Sequence, residues 1–258
     1  MTDVEQYDFR PAHIVVGIIY VIVALIFWIG DAVTTATVSL LCSDHIVGVW
    51  TYYWALGVGL LLFGVSYIVA GVIDTTHEQI NRRYRPWRWV GHAFLMFAVF
   101  QILLHVLQYT DATLVWLAPI IAGVALAYVQ SSNETMNSIK TGYAKVTDPV
   151  PVETFWTTFP RIEGWITGLL IVGAFWVLFF IRVFDGTGVS GGPLAYSLWI
   201  LIGYTLFHGY IAFTTTFASW ATAWWREVLF IVLEFVLIVA GAYLTIMFAP
   251  ALRTCVPP

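Results

Sequence analysis

Long apolar stretches separated by short polar segments run through the chain from end to end. Each holds about 20 residues, the length that an α-helix needs to cross the hydrocarbon core of a bilayer. Trp and Tyr crowd several of the ends, as in interfacial aromatic belts. The pattern predicts an all-α fold, a rhodopsin-like seven-transmembrane-helix bundle in which residues 1–258 form a single domain. The predicted spans are 13–30, 50–73, 88–108, 113–130, 162–182, 194–215 and 227–248.

Two segments depart from this pattern, since one apolar stretch contains a proline and one long segment is polar. Pro119 interrupts the fourth stretch, and proline in a spanning helix is tolerated where neighbouring groups satisfy the freed carbonyl. Segment 131–160 is the longest polar stretch and contains Pro149, Pro151 and Pro160. It is predicted to be a solvated linker, with docking of a partner as the alternative.

The basic residues predict an orientation. With seven spans, nine of the eleven Lys and Arg fall on one side, and only Arg182 and Arg253 fall on the other. The positive-inside rule therefore places the N-terminus in the cytoplasm and the C-terminus outside, in a multi-pass protein of the cell membrane. The nine are Arg10, Arg82, Arg83, Arg85, Arg88, Lys140, Lys145, Arg161 and Arg226.

Composition agrees with a membrane protein and excludes several soluble classes. The chain is 60% hydrophobic and 10% charged, against roughly 45–50% and 25% in soluble domains. No basic patch with interleaved aromatics indicates a nucleic-acid partner. No P-loop, H-E-x-x-H motif, nucleophile elbow or C-x-x-C motif is present, so we do not predict an enzyme.

Both cysteines, Cys42 and Cys255, fall on the predicted outer face. Disulfides form in oxidising compartments, so a Cys42–Cys255 bridge could tie the first helix to the last. Two free thiols in flexible segments are the alternative, because the sequence does not give the Cα separation that a disulfide requires.

Three segments resemble the heliorhodopsins, a family of seven-helix, inverted-topology relatives of the microbial rhodopsins. The last span, REVLFIVLEFVLIVAGAYLTIMF, resembles the family's seventh helix, and RWVGHAFLMF is similar to the opening of its third. Asn133 and Met136 follow the fourth apolar run in a similar way. The resemblance implies seven spans with the N-terminus inside, and a homodimer.

The chain departs from that family at the residues that hold retinal. The family's retinal-binding lysine aligns with Ile238, and the glutamate of its third helix aligns with Gly91. The only lysines, Lys140 and Lys145, fall in the predicted cytoplasmic loop, and a Schiff base needs an amine. The first outer loop, roughly 31–49, is also shorter than the family's strand-containing loop. The resemblance therefore implies a heliorhodopsin-like scaffold without covalent retinal.

Polar residues at membrane depth indicate where such a scaffold would act, because they are costly there. Glu234 shares a helix face with Ile238. Its carboxyl is predicted to be a protonatable or ligand-contacting group. The alternative is a structural carboxyl whose hydrogen bonds are made by a neighbouring hydroxyl or His. We predict an internal apolar pocket that binds retinal or a carotenoid non-covalently, in a non-pumping binding or signalling protein. Its predicted lining is Gly91, His92, Met96, Tyr204, His208, Glu234 and Ile238.

Two alternative functions use the same polar residues. A haem-binding electron carrier would use His92 or His105 together with His208, since two imidazoles can ligate haem iron axially. A proton or ion pathway would pass through Glu234. Hydrogen-bonded core histidines are the structural alternative to both. The other predicted partners are the lipid bilayer and a cytoplasmic partner that would bind at loops 74–88 and 131–160.

Overall fold

The computed structural model of this chain describes residues 10–38, 52–73, 86–142, 155–185, 191–216 and 223–252. These residues form seven α-helices and no strand. The helices are α1 (Arg10–Val38), α2 (Tyr52–Ile73), α3 (Pro86–Val106), α4 (Ala118–Gly142), α5 (Phe155–Phe184), α6 (Gly192–Thr216) and α7 (Ala223–Leu252). The prediction of an all-helical chain is confirmed for the part that the structure describes.

Five stretches within this described part are long and apolar enough to cross a membrane, which fits a multi-pass membrane protein. They are Arg10–Ile29, Ala55–Ile73, Trp87–Val106, Thr113–Ser131 and Ile166–Phe184. In α7 the corresponding apolar stretch, Ile231–Thr245, is shorter. A lipid-facing surface explains the many exposed aliphatic side chains, which a soluble protein of this size would bury.

Prolines mark the starts of three helices. Pro86 opens α3, and Pro11 and Pro193 occupy the second positions of α1 and α6. Proline is tolerated in a first turn because its missing N–H would find no partner there in any case. The interruption predicted at Pro119 is a π-helical turn, Thr113–Leu117, that leads directly into α4. Asp111 begins that turn by accepting a hydrogen bond from the Leu114 amide through Oδ1, at 2.7 Å.

Part of the predicted linker 131–160 is helical. Helix α4 continues to Gly142, well beyond the predicted end of the fourth span, and α5 begins at Phe155. Residues 131–141 contain neither proline nor glycine, so nothing in the sequence stops the helix once α4 has started. Position 142 is a glycine, which is a common residue at helix ends.

Helix α3 is the centre of the bundle. Of the residues in its most apolar stretch, 67% are buried, against 28% in that of α1 and 22% in that of α5. It packs against α2 and α4 and also contacts α6. Helices α2 and α3 approach each other closely at Gly59, where an added methyl group would lie only 2.7 Å from Cβ of Ala98. Side chains of α3 therefore reach the interior from the middle of the molecule.

A polar clamp formed by Gln108, Tyr109, Arg182 and Asp185 joins the α3–α4 connection to the end of α5. The Arg182 guanidinium lies 4.0 Å from the ring centroid of Tyr109 and donates to the Gln108 carbonyl and the Asp185 carboxylate. The Tyr109 hydroxyl donates to the Leu178 carbonyl at 2.8 Å. Burial raises the pKa of Tyr109, so this hydroxyl keeps its proton at neutral pH.

Candidate functional site: a buried histidine–glutamate pair beside an apolar cavity

His92 of α3 and Glu234 of α7 form a buried pair in the interior of the bundle. Each residue is 1% exposed, and Nε2 of His92 is hydrogen-bonded to Oε1 of Glu234. The contact joins two helices that are 142 residues apart in sequence. A charge buried at this depth is costly unless it is paired, so the two side chains compensate each other.

Aromatic rings hold the imidazole of His92 in place. Its ring stacks on Phe207 of α6 with a centroid distance of 5.7 Å and meets the edge of Phe63 of α2 at 5.0 Å. Trp89, one turn earlier in α3, lies at 5.0 Å. These contacts from three helices fix the orientation of the ring and keep water away from it.

Four buried polar atoms at this site have no hydrogen-bond partner among the described residues. They are Nδ1 of His92, Oε2 of Glu234 and the hydroxyl oxygens of Tyr20 and Tyr67. The ring of Tyr20 lies 5.6 Å from that of Tyr67 and 6.4 Å from that of Phe235, the residue after Glu234. Buried polar atoms normally have partners, so their concentration here marks a place suited to a polar ligand group or water.

An apolar cavity of about 140 Å³ lies beside the pair. Its lining comes from α3, α6 and α7, with Leu56 and Leu60 of α2. His92 and Glu234 are among its lining residues, whereas most of the lining is aliphatic or aromatic. An apolar chamber with a few polar groups is the usual form of a small-molecule site.

The cavity reaches the surface between α6 and α7. Trp199 of α6 lines it and is 53% exposed, and Ala240 of α7 lines it and is also exposed. Small residues at Gly203 and Gly241 keep this side open, because a methyl group built on either glycine would meet no atom within 4 Å. The polar pair is thus enclosed, while the apolar flank of the cavity is accessible from the lipid-facing side.

The end of the cavity away from the pair has its polar groups satisfied. The hydroxyl of Thr245 donates to the Gly241 carbonyl at 2.8 Å. The hydroxyl of Tyr196 lies 3.0 Å from the same Thr245 oxygen and, since Thr245 has used its hydrogen, acts as the donor. Among the described lining residues, unmet hydrogen-bonding capacity remains at His92, Glu234 and Tyr204.

Five of the seven predicted pocket residues line the cavity, and two lie elsewhere. The five are His92, Met96, Tyr204, Glu234 and Ile238. Gly91 faces α2, where a methyl group would lie 2.8 Å from Cβ of Ser66. His208 packs its ring against Gly168 of α5.

The histidines predicted as haem ligands do not share one location. Among the described residues, His92 is the histidine that lines the cavity, and its Nε2 is engaged by Glu234. His208 lies at the α5–α6 contact, and His105 is partly buried near the end of α3. Haem ligation stays a prediction.

Tyr20, Phe63, Tyr67 and Trp89 belong to the site but were not predicted as site residues from the sequence. Each is an aromatic residue in an apolar run, which is also the pattern of lipid-facing or core positions. Nothing in their spacing distinguishes them. Cys42, Cys255 and most of loop 74–88 lie outside the described residues, so the predicted bridge and partner contact there stay predictions.

Comparisons with known proteins give no family for this chain: no protein-family model matches it, and no curated protein does so either.

Proposed function

We propose that this chain is a heliorhodopsin-like membrane protein that binds an apolar ligand non-covalently in the cavity between α3, α6 and α7. Its role is binding or signalling, not pumping, with the N-terminus in the cytoplasm and the C-terminus outside. The observation that carries the proposal is the cavity itself, which combines an apolar lining with one buried polar pair. Recognition of apolar ligands commonly uses this combination.

The absence of a lysine from α7 supports the non-covalent part of the proposal. Ile238, at the position where the resemblance would place the retinal-binding lysine, lines the cavity. The two lysines of the chain are Lys140, in α4, and Lys145, which follows α4 in sequence. A retinoid could therefore occupy the cavity only through packing and hydrogen bonds, since an imine requires an amine.

The test is the absorption spectrum of protein purified in mild detergent, before and after addition of all-trans-retinal. We expect a retinal band that shifts on binding and that organic solvent removes without hydroxylamine. Gly203→Leu should abolish the shift, because the new side chain grows into the cavity. Gly209→Leu is the matched control on the same helix: a methyl group there also meets nothing within 4 Å, but Gly209 does not line the cavity.

If the absorption band of added retinal does not shift with the parent protein, the proposal is contradicted. A shift of equal size in the Gly203→Leu variant would contradict it as well. A band already present before addition would identify a resident ligand, and its loss in Gly203→Leu would place that ligand in the cavity.

A proton pathway is a second candidate, supported by the buried polar atoms that continue from Glu234 toward α1. Tyr20 and Tyr67 contact each other, and the ring of Tyr67 stacks on buried His13 at 5.4 Å. Ionisable groups aligned within a membrane are typical of proton relays. Proton flux into liposomes should then fall at least tenfold in Glu234→Gln, and flux that survives this change would exclude the pathway.

A further inference from the structure

The lining of the cavity extends over about three turns of α3, α6 and α7. On α6 it runs from Tyr196 to Phe207 and on α7 from Glu234 to Thr245, about 16 Å in each helix at a rise of about 1.5 Å per residue. The volume of about 140 Å³ is close to that of an apolar cavity that holds one benzene molecule, roughly 150 Å³. Spread over that length, this volume suits an extended chain better than a fused ring system.

The opening of the cavity lies at the depth of the lipid chains. It is formed beside Trp199 and Ala240, which line the cavity and are exposed. Trp199 lies about 10 Å from the start of α6 and Ala240 about 18 Å from the end of α7, and the hydrogen bond between Tyr196 and Thr245 shows that these two helix ends lie on the same side. In a hydrocarbon core about 30 Å thick, the opening therefore lies well below the head groups of that leaflet.

The cavity next to this opening has an apolar lining. On α7, Leu237 and Ile238 line it between Ala240 and Glu234, and on α6 Gly203 adds no side chain. A polar head group that entered here would lose its hydration, which is costly, whereas the end of a lipid chain is already in hydrocarbon. What such a chain gains is dispersion contact with the lining atoms, which an empty space does not provide.

We infer that the cavity binds the methyl end of an acyl chain of a bilayer phospholipid, which enters between α6 and α7 while its head group stays at the membrane surface. The narrow volume selects a chain, the depth of the opening selects its methyl end, and the apolar lining excludes the head group. This inference rests on the proposed function and names the ligand of the same site. Retinal and the acyl chain then compete for one cavity.

The experiment uses two phosphatidylcholines that carry a photoreactive diazirine on one acyl chain, either next to the methyl end or next to the glycerol. The full-length protein is placed in nanodiscs that contain one of these probes as a minor component and is irradiated, and peptide mass spectrometry locates the adducts. We expect the methyl-end probe to label lining residues such as Met96 and Ile238. The glycerol-end probe should label neither. Val177 of α5, which is 58% exposed, is the lipid-facing reference for the methyl-end probe.

Variants on two helices assign the labelling to this route. Ala240→Phe narrows the opening and Gly203→Leu fills the cavity, so each should lower labelling of the lining about fivefold or more and leave Val177 unchanged. Val239→Phe is the matched control for the first, since Val239 is 41% exposed and does not line the cavity. Gly209→Leu is the control for the second. Because the two changes lie on different helices, the test does not depend on the folding of one variant.

Labelling by the methyl-end probe that is confined to lipid-facing residues would overturn the inference. Labelling of the lining that survives both Ala240→Phe and Gly203→Leu would do the same, as would equal labelling of the lining by the two probes. If the retinal band shifts although the lining is not labelled, the apolar site stands and takes no lipid chain. If neither is observed, the proposed function fails as well. Where both are observed, added retinal should reduce labelling of the lining, and labelling that retinal leaves unchanged would contradict a shared cavity.

Discussion

His92 and Glu234 lie in helices that the chain connects only through long intervening segments, yet each is the other's polar partner in the interior. Forming this pair and removing one of its partners change the free energy of unfolding by unequal amounts. The pair replaces hydrogen bonds that both groups would make with water, so its net contribution is small. Removal of one partner, in contrast, leaves the other buried and unpaired.

At the residue scale we expect Glu234→Leu to lower the free energy of unfolding by about 1–3 kcal/mol, because Nε2 of His92 loses its partner. The double variant His92→Phe/Glu234→Leu should recover most of that loss. Unfolding in mixed micelles, followed by tryptophan fluorescence, measures both values. Val232→Leu, on the exposed face of the same helix, is the control and should behave like the parent.

The sequence pointed to both residues but not to their contact. Glu234 and His92 stand out because ionisable groups are rare in apolar runs. The partner of Glu234 stayed open between a hydroxyl and a histidine, since helix rotation and the nearness of α3 to α7 depend on packing of the whole bundle. His208 shows the same limit: it faces Gly168 on α5, a contact that only the α5–α6 packing determines.

At the scale of the elements, small residues determine how closely the helices approach. Gly17 of α1 and Gly64 of α2 face each other, and a methyl group on either would lie 2.7 Å from the other's carbonyl oxygen. A methyl group on Gly123 of α4 would lie 2.6 Å from the carbonyl oxygen of Ala93 in α3. Close backbone approach through small residues is the common means of helix association in membranes.

Gly64→Ala should therefore destabilise the α1–α2 contact, with a cost of about 1–3 kcal/mol for an overpacked site. Gly173→Ala is a matched control, because a methyl group there meets no atom within 4 Å. That change should be neutral or stabilising by up to about 1 kcal/mol, since alanine favours the helix. Thermal unfolding of both variants gives the comparison, and an equal Tm for the two would refute the role of the Gly17–Gly64 contact.

The positions of the elements were largely predictable, and their ends were not. Each apolar run of the sequence overlaps one of the described helices, because hydropathy over about 20 residues is a strong signal. The extension of α4 to Gly142 was missed, since residues 131–141 are mostly polar and carry little apolar signal, although they contain no helix breaker. The cavity was predictable only in part: its far end, at Tyr196 and Thr245, depends on side-chain contacts that no pattern encodes.

At the scale of the whole molecule, the orientation is a prediction from charge. In a background of Cys42→Ser/Cys255→Ser, we expect Thr110→Cys, an exposed position between α3 and the π-helical turn, to react with a membrane-impermeant maleimide on intact cells. Ser138→Cys, in α4, should react only after permeabilisation. The opposite result would place the N-terminus outside and invert the topology.

The side opening between α6 and α7 has a consequence for how occupancy is controlled. A ligand that enters from the lipid phase equilibrates with its mole fraction in the bilayer, not with its much lower concentration in water. The membrane then serves as a reservoir, and even a weak intrinsic affinity keeps the cavity filled. Changes in lipid composition would thus regulate the protein directly, with no soluble messenger.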